Sequence, residues 1–478
     1  MANLRQFTIN YLQSKKNNFE QVSEYIFHHP ETRFEEYESA EFLAKECEKQ
    51  GFQVERGVGG IETAFVATFG EGNPVIGFLG EFDALSGLSQ EPNTTSHQPW
   101  EHNVGHGCGH NLLGTGAFAA ACTAKAYLEK NNLPGTVKFF GCPGEEGGSG
   151  KTFMVREGVF DGLDLALSWH PSPANAIMSL SSLANYQVFF RFKGTSSHAA
   201  ASPHLGRSAL DAVELMNVGV QYLREHVIDQ ARIHYAITNT GGISPNVVQP
   251  EAEVLYLVRA PKIGQVEEIY QRVVKIAQGA AMMTETALEI EFNKACSNYV
   301  PNRAAERILY ESLTEIGVEE PTEEEKTFAK SIYESFTNGE KEDAINGLRS
   351  FGYFGDGSEY EGKYIADSVA PYEATDQIWA ASIDIGDVSW IVPTAQLTTS
   401  TSAIGTALHT WQMTSQGLST NAHKAMLRAG GTMALTALKI FEQPERLEDV
   451  QAEHQAFADK NQYQNPIPAH VKPAKLNP

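Results

Sequence analysis

Apolar residues recur at helical spacing at the start of the chain. Phe7, Ile9, Leu12, Phe19, Val22 and Ile26 share one face and predict an amphipathic helix over 5–28. His28-His29-Pro30 ends it, because proline disfavours helix in the residue before it. A second helix is expected over about 36–50, closing at Gly51. The period then shortens. Residues 52–54, 64–69 and 75–80 read as strands, the last apolar throughout, as a strand buried on both faces would be. Small apolar residues over 112–122 predict a buried helix with Asn111 as its N-cap. Strands at 136–140 and 163–169 follow, with helices between. From Tyr186 the texture changes to alternation, with strands at 186–194 and 252–259 and helices at 204–226 and 265–283. Strand, helix, strand, strand, helix, strand over roughly 110 residues resembles a ferredoxin-like α+β unit inserted into an α/β protein. Beyond Tyr299 the pattern is helical again, with an acidic surface segment at 318–345 and a helix over 421–441.

Composition excludes some partners without naming an activity. The 478 residues allow two or more domains with large cores. Hydrophobic content of 42% and charged content of 20% are ordinary for a globular chain. A formal net charge of −23 leaves no basic stripe to neutralise phosphates, which argues against a nucleic-acid partner. Five cysteines (Cys47, Cys108, Cys122, Cys142 and Cys296) are odd in number and scattered, so reduced thiols are expected. No run approaches the roughly 18 apolar residues of a membrane span, and residues 1–29 lack the core of a signal peptide. A cytoplasmic protein without a membrane partner is the expectation.

Chemistry concentrates where the predicted strands end. Gly105-His106-Gly107-Cys108-Gly109-His110-Asn111 offers a thiolate and two imidazoles with only glycine between them. Cys108 and His110 are donors of the kind that Zn, Mn, Ni or Co sites use, although a glycine-rich turn with surface histidines would read the same way. Strand 75–80 runs into Glu81-Phe82-Asp83, and strand 136–140 into Gly141-Cys142-Pro143-Gly144-Glu145-Glu146-Gly147-Gly148-Ser149-Gly150-Lys151. In a tight glycine-rich turn adjacent carboxylates diverge, so one can bind a cation while the other faces a water on it. The turn does not match a phosphate-binding loop. Strand 163–169 ends at His170. Three successive strands ending in Asp, Glu or His point to a metal centre more firmly than any one motif. His409 and His423 are lone histidines, more often structural than ligands.

In order, Glu81-x-Asp83, Gly107-Cys108-Gly109-His110, Glu145-Glu146-Gly147-Gly148, His170, His198-Ala199-Ala200, Asn246-Val247-Val248 and Leu408-His409-Thr410 resemble the amidohydrolase branch of the M20 metallopeptidases. Three longer blocks, at 107–115, 141–151 and 242–249, look like the members of that branch that act on p-aminobenzoyl-glutamate. The likeness covers nearly the full length. It implies a catalytic α/β domain with a mixed sheet, residues 1–184 and 297–478, interrupted by a lid and dimerisation domain at 185–296. It implies two divalent ions per site, Mn or Zn, with Cys108, His110, Glu146, His170 and His409 as ligands. Glu145 would be the general base and Asp83 would orient the site. His198 would reach across the dimer to the oxyanion, and Asn246 and Arg259 would contact substrate. Glu81 stands where relatives carry Asp or a metal-binding His, and Asn111 where many carry Asp. Glu81 is therefore open as ligand, supporting group or neither. The implied activity is metal-dependent hydrolysis of the amide of an N-acyl or N-aroyl amino acid. The implied partner is a second copy or a related subunit, joined through the lid. A non-catalytic subunit is the competing reading, and the intact ligand set with Glu145 counts against it.

Overall fold

The computed structural model describes residues 2–100 and 103–475, so the outer limits of the expected discontinuous domain, Met1 and Pro478, lie outside them. Among the described residues the main sheet has seven strands. Their order is Gln53–Arg56, Phe65–Glu71, Gly135–Cys142, Val75–Glu81, Leu165–Ser172, Thr394–Ser400 and Ala176–Ile177. The central four are mutually parallel, and antiparallel pairing brings in the strands outside them. This is the expected α/β class with a mixed sheet. The unbroken apolar runs follow from burial on both faces. Ile76, Phe78, Val137, Phe139, Leu165 and Leu167 point into one core, while Leu79, Phe140 and Ala166 point into another.

Helices Ala2–His28, His110–Asn131, Arg303–Ile316 and Thr420–Glu442 contribute their apolar faces to the first core. The helix His110–Asn131 lies unusually close to the sheet. A Cβ on Gly116 would sit 2.7 Å from Nε1 of the fully buried Trp169, and that Nε1 donates to the Leu113 carbonyl at 2.9 Å. The start of this helix corrects the sequence expectation. Gly109, at φ 77°, is the N-cap, and His110 is the first helical residue. Asn111 is inside the helix, its Nδ2 donating to Ser23 Oγ (3.0 Å) and to the Gly417 carbonyl (3.1 Å). The left-handed backbone that glycine adopts freely makes the cap, so no side-chain oxygen is needed there.

The second sheet has four antiparallel strands in the order Arg232–Asn239, Glu251–Ala260, Ala184–Lys193 and Ala287–Cys296. Helices Ala209–Leu223 and Ile263–Thr284 complete the ferredoxin-like order. Alternation along Glu251–Ala260 puts Val254, Tyr256 and Val258 into the core and leaves Leu257 and Arg259 on the other face. That other face lines a cavity shared with the ends of the main sheet. The acidic stretch forms two surface helices, Glu323–Glu334 and Asn338–Gly347, each opened by a capping box at Thr322/Glu325 and Thr337/Glu340.

Gly116→Ala separates helix propensity from packing. Propensity alone favours alanine by about 1 kcal/mol. Overpacking against Trp169 costs about 1–3 kcal/mol. The variant should therefore lower the urea midpoint. A raised midpoint would show that the helix can move off the sheet.

Candidate metal centre and substrate cavity

The carboxyl ends of the parallel strands converge on one cavity of about 330 Å³ lined by Cys108, Glu145, Glu146, His170 and His409, among others. Ligands in open α/β sheets bind at this end because the loops there diverge. Among the described residues the side chains form three groups that could hold a cation, each with its donor atoms within 4.8 Å of one another. One is Cys108, His110 and His170; another is Cys108, Glu146 and His409; the third is Glu81, His110 and Glu145. Cys108 belongs to the first two.

The backbone explains why these side chains meet. After strand Gly135–Cys142 the chain turns through Gly144 (φ 67°), Gly147 (φ 70°) and Ser149 (φ 58°), so Glu145 and Glu146 diverge. A Cβ on Gly150 would sit 1.8 Å from the Pro143 carbonyl oxygen, which makes glycine obligatory there. The turn is anchored from outside. Glu146 N donates to Asp83 Oδ2 (2.8 Å), Gly144 N donates to Glu36 Oε1 (2.8 Å), and the Arg33 guanidinium donates to the Gly147 carbonyl. His409 sits at φ 61°, uncommon for a residue with a Cβ, and its N–H donates to the Gly107 carbonyl at 2.8 Å.

Two of the imidazoles have one nitrogen already committed. His110 Nδ1 meets Asp83 Oδ1 at 3.0 Å, and His170 Nδ1 meets the Pro171 carbonyl at 2.8 Å. Both Nε2 atoms are thereby left for another partner. His170 Nε2 lies 3.5 Å from Cys108 Sγ, and His409 Nε2 lies 3.0 Å from Glu146 Oε1. His110 Nε2 and Glu81 Oε2 are 3.2 Å apart, both buried and neither in a hydrogen bond among the described residues. Two orphaned buried atoms, beside a thiol and further carboxylates, are what a cation would satisfy. The donor set fits a metal ion.

Burial and neighbours divide the carboxylates. Burial, then the charges of Glu146, Glu81 and Asp384, push Glu145 well above the usual range. Glu146 is held down to about 2: burial works against its charge, but hydrogen bonds and charge from His409 and His110 prevail. Glu81 is the position the sequence left open. Lys151 Nζ, fully buried, lies 2.6 Å from Glu81 Oε1 and 2.5 Å from Asp384 Oδ1. Burial would raise Glu81, yet Lys151 and the nearby histidines hold it below the usual range. Asp384, competing for the same cation, is pushed up to about 6 by burial and by Glu81. Lys151, Asp384 and Glu36 are participants that spacing did not reveal. Lys151 closes a motif singled out for its glycines, and Asp384 sits in a short acidic segment without periodicity.

Arg259 also lines the cavity, together with Asn185, Gln187 and Lys294 of the second sheet. His198 and Asn246 do not. Both are exposed near the tip of that sheet, where the backbone of His198 bridges to Val247 and Asn246 O accepts from Ala199 N. His106, His423 and Cys142 are buried elsewhere: His106 Nε2 meets the Ile26 carbonyl at 3.0 Å, and none of the three belongs to a cation group or lines the cavity.

A chain with strand-end histidines, a shared thiol and paired glutamates facing a second, ferredoxin-like sheet has the features of a metallohydrolase. The chain belongs to peptidase family M20/M25/M40, whose pattern matches residues 77–385, and it is an amide-cleaving hydrolase. Over 484 aligned positions, covering 100% of both chains, it is 51% identical to one of the subunits of the p-aminobenzoyl-glutamate hydrolase of Escherichia coli K12. It is 29% identical to the Xaa-Arg dipeptidase of Mus musculus, over 93% of this chain and 90% of that one. The fold superposes on the aminobenzoyl-glutamate utilization protein of Klebsiella pneumoniae with a TM-score of 0.61 at 17% identity, covering 91% and 98% of the chains. No helix among the described residues is long and apolar enough to cross a membrane.

Lys151→Met should cost about 3–5 kcal/mol, because it strands two buried carboxylates without their cation. Adding Asp384→Asn should recover part of that loss by removing one of the stranded charges. A single variant as stable as the parent in urea denaturation would show that the Lys151 network contributes nothing.

Proposed function

We propose that this chain is a metal-dependent amidohydrolase that cleaves p-aminobenzoyl-glutamate to p-aminobenzoate and glutamate. The observation carrying this reading is Glu145 facing a cavity where two groups of donor atoms share Cys108, in a chain half identical to part of a hydrolase of that name. Cys108, His110, Glu146, His170 and His409 would hold two divalent ions, Mn or Zn, with Cys108 common to both. Such ions, when bound, lower the pKa of a water and polarise a carbonyl oxygen.

The chain's own groups do the rest. Asp83 keeps the proton of His110 on Nδ1 and so holds Nε2 as a donor to the metal side. The same carboxylate fixes the turn through Glu146 N, which aims Glu145 away from Glu146. Glu145 takes a proton from the attacking water and delivers it to the nitrogen of the leaving amino acid. Lys151 holds one oxygen of Glu81 and leaves the other beside His110 Nε2, so Glu81 acts on the site through its charge and position. Arg259 offers its guanidinium to a substrate carboxylate.

His198 and Asn246 reach the cavity only from another protomer's lid. The lid carries the apolar surface such an assembly needs: Leu215, Val218, Tyr222, Met282 and Met283 are exposed on its two helices. The partner is a second copy or a related subunit, in keeping with a relative whose name makes it one subunit of a hydrolase.

The test is hydrolysis of p-aminobenzoyl-glutamate by the purified chain with Mn²⁺ or Zn²⁺. A chelator should abolish it, and added metal should restore it. Glu145→Gln should retain metal while kcat falls by roughly 10²–10⁴, the usual contribution of a general base. Full turnover in excess chelator, or a Glu145→Gln enzyme with unchanged kcat, would overturn the reading.

A further inference from the structure

The cavity has an acidic floor and a basic roof. The floor is the strand-end cluster of thiol, imidazoles and carboxylates. The roof is the face of the second sheet opposite its helices, and it carries two cations that form no ion pair among the described residues. Arg259 has its Nε buried without a hydrogen-bond partner, and its one side-chain hydrogen bond among those residues is Nη1 to Ser382 Oγ at 3.5 Å. Lys294 is 7% exposed, lines the cavity, and forms no ion pair or side-chain hydrogen bond among the described residues. An unpaired ammonium in such a place is expensive to keep charged. Burial accordingly pulls Lys294 below the usual lysine range; Arg259 and Arg33 add to the effect, while Cys296 and, across the cavity, Glu145 oppose it without reversing it. Burial lowers Arg259 as well. Lysines this deep are normally paired.

Strand register fixes how the two cations are arranged. Asn185 pairs with Arg259 on one side and Cys296 on the other, forming the row nearest the start of strand Ala184–Lys193. Gln187 pairs with Leu257 and Lys294, forming the next row on the same face. Arg259 and Lys294 therefore stand on opposite flanks of the central strand, one row apart. They lie about 10 Å apart across two strand spacings and about 7 Å along the strands, measured at the backbone. Long side chains leaning inward over Asn185 and Gln187 can meet the two ends of one small dianion.

We propose that Lys294 is a specificity-determining residue that binds the side-chain carboxylate of the substrate's amino acid, while Arg259 binds its α-carboxylate. The assignment follows from the rows. The α-carboxylate is one carbon from the scissile nitrogen, so it belongs with the row nearest the catalytic domain, where Arg259 approaches Ser382. The side-chain carboxylate extends farther along the strands, to Lys294. Dicarboxylic amino acids are the substrate class this pair selects, and bound substrate supplies the ion-pair partners that the two cations lack among the described residues. The inference rests on the amidohydrolase reading.

The experiment compares kcat/KM for p-aminobenzoyl-glutamate and p-aminobenzoyl-glutamine, which differ by one charge at nearly equal size. The metal-loaded parent should prefer glutamate by about 10²-fold or more, the discrimination available to a site built around a polar substrate group. In Lys294→Met, and independently in Lys294→Gln, that ratio should collapse by at least about tenfold. A preserved ratio in either folded variant would overturn the assignment. Neither variant is expected to melt below the parent, because each removes an unpaired buried charge. Should both fail to fold, calorimetry on the parent decides: glutamate must bind more tightly than glutamine, and equal affinity overturns the proposal. A parent that cleaves neither substrate, alone or assembled with a related subunit, refutes the amidase reading alone, and the same calorimetry still judges the pocket.

Discussion

The carboxylate of Asp83 ties the site together. One oxygen meets His110 Nδ1 and the other accepts from Glu146 N, so a single buried group joins the end of strand Val75–Glu81, the start of helix His110–Asn131 and the glutamate turn. Each segment alone has freedom that would scatter the donors. His110 could rotate about its side-chain bonds, and a turn containing Gly144 and Gly147 could adopt other paths. Removing that freedom beforehand is what allows ligands from distant parts of the chain to meet within a few ångströms.

Around this pivot, charge is balanced by region. The strand ends gather more carboxylates than local cations can neutralise, and the surplus is handled by burial or by one lysine. Glu36 is pushed up to about 8 by burial and by the charge of Asp83, and its two oxygens accept from Gly144 N and Thr63 Oγ1. Lys151 serves Glu81 and Asp384 together. The second sheet shows the opposite imbalance, with Arg259 and Lys294 facing the cavity and in no ion pair among the described residues. A cation is thus suited to the floor and an anion to the roof, and a substrate amide between them would have its carbonyl and carboxylates drawn in opposite directions.

Much of this was legible in the sequence because the relevant signals are local. Unbroken apolar runs identify two-sided strands, alternation identifies the second sheet, and glycine flanking Cys108, His110, Glu145 and Glu146 marks backbone that must turn tightly. Asn111 misled because an Asn before an apolar run normally signals a cap, and nothing local shows that Gly109 takes a left-handed conformation instead. Lys151, Asp384 and Lys294 escaped notice for another reason. A lysine in a strand such as Ala287–Cys296 reads as a solvated face, and only the placement of one sheet over another buries it. The Lys151 partners lie 70 and 233 residues away in the chain. Their pairing is a property of the packed molecule and not of any segment.

The sharing of Cys108 between two cation groups is the feature on which the catalytic reading depends, and cobalt substitution addresses it directly. Metal-free protein titrated with Co²⁺ should take up two equivalents and develop an intense near-ultraviolet thiolate-to-cobalt band. In Cys108→Ser that band should vanish and the uptake of both equivalents should weaken together. A single equivalent bound without a thiolate band, or two equivalents unaffected by Cys108→Ser, would contradict a shared thiolate.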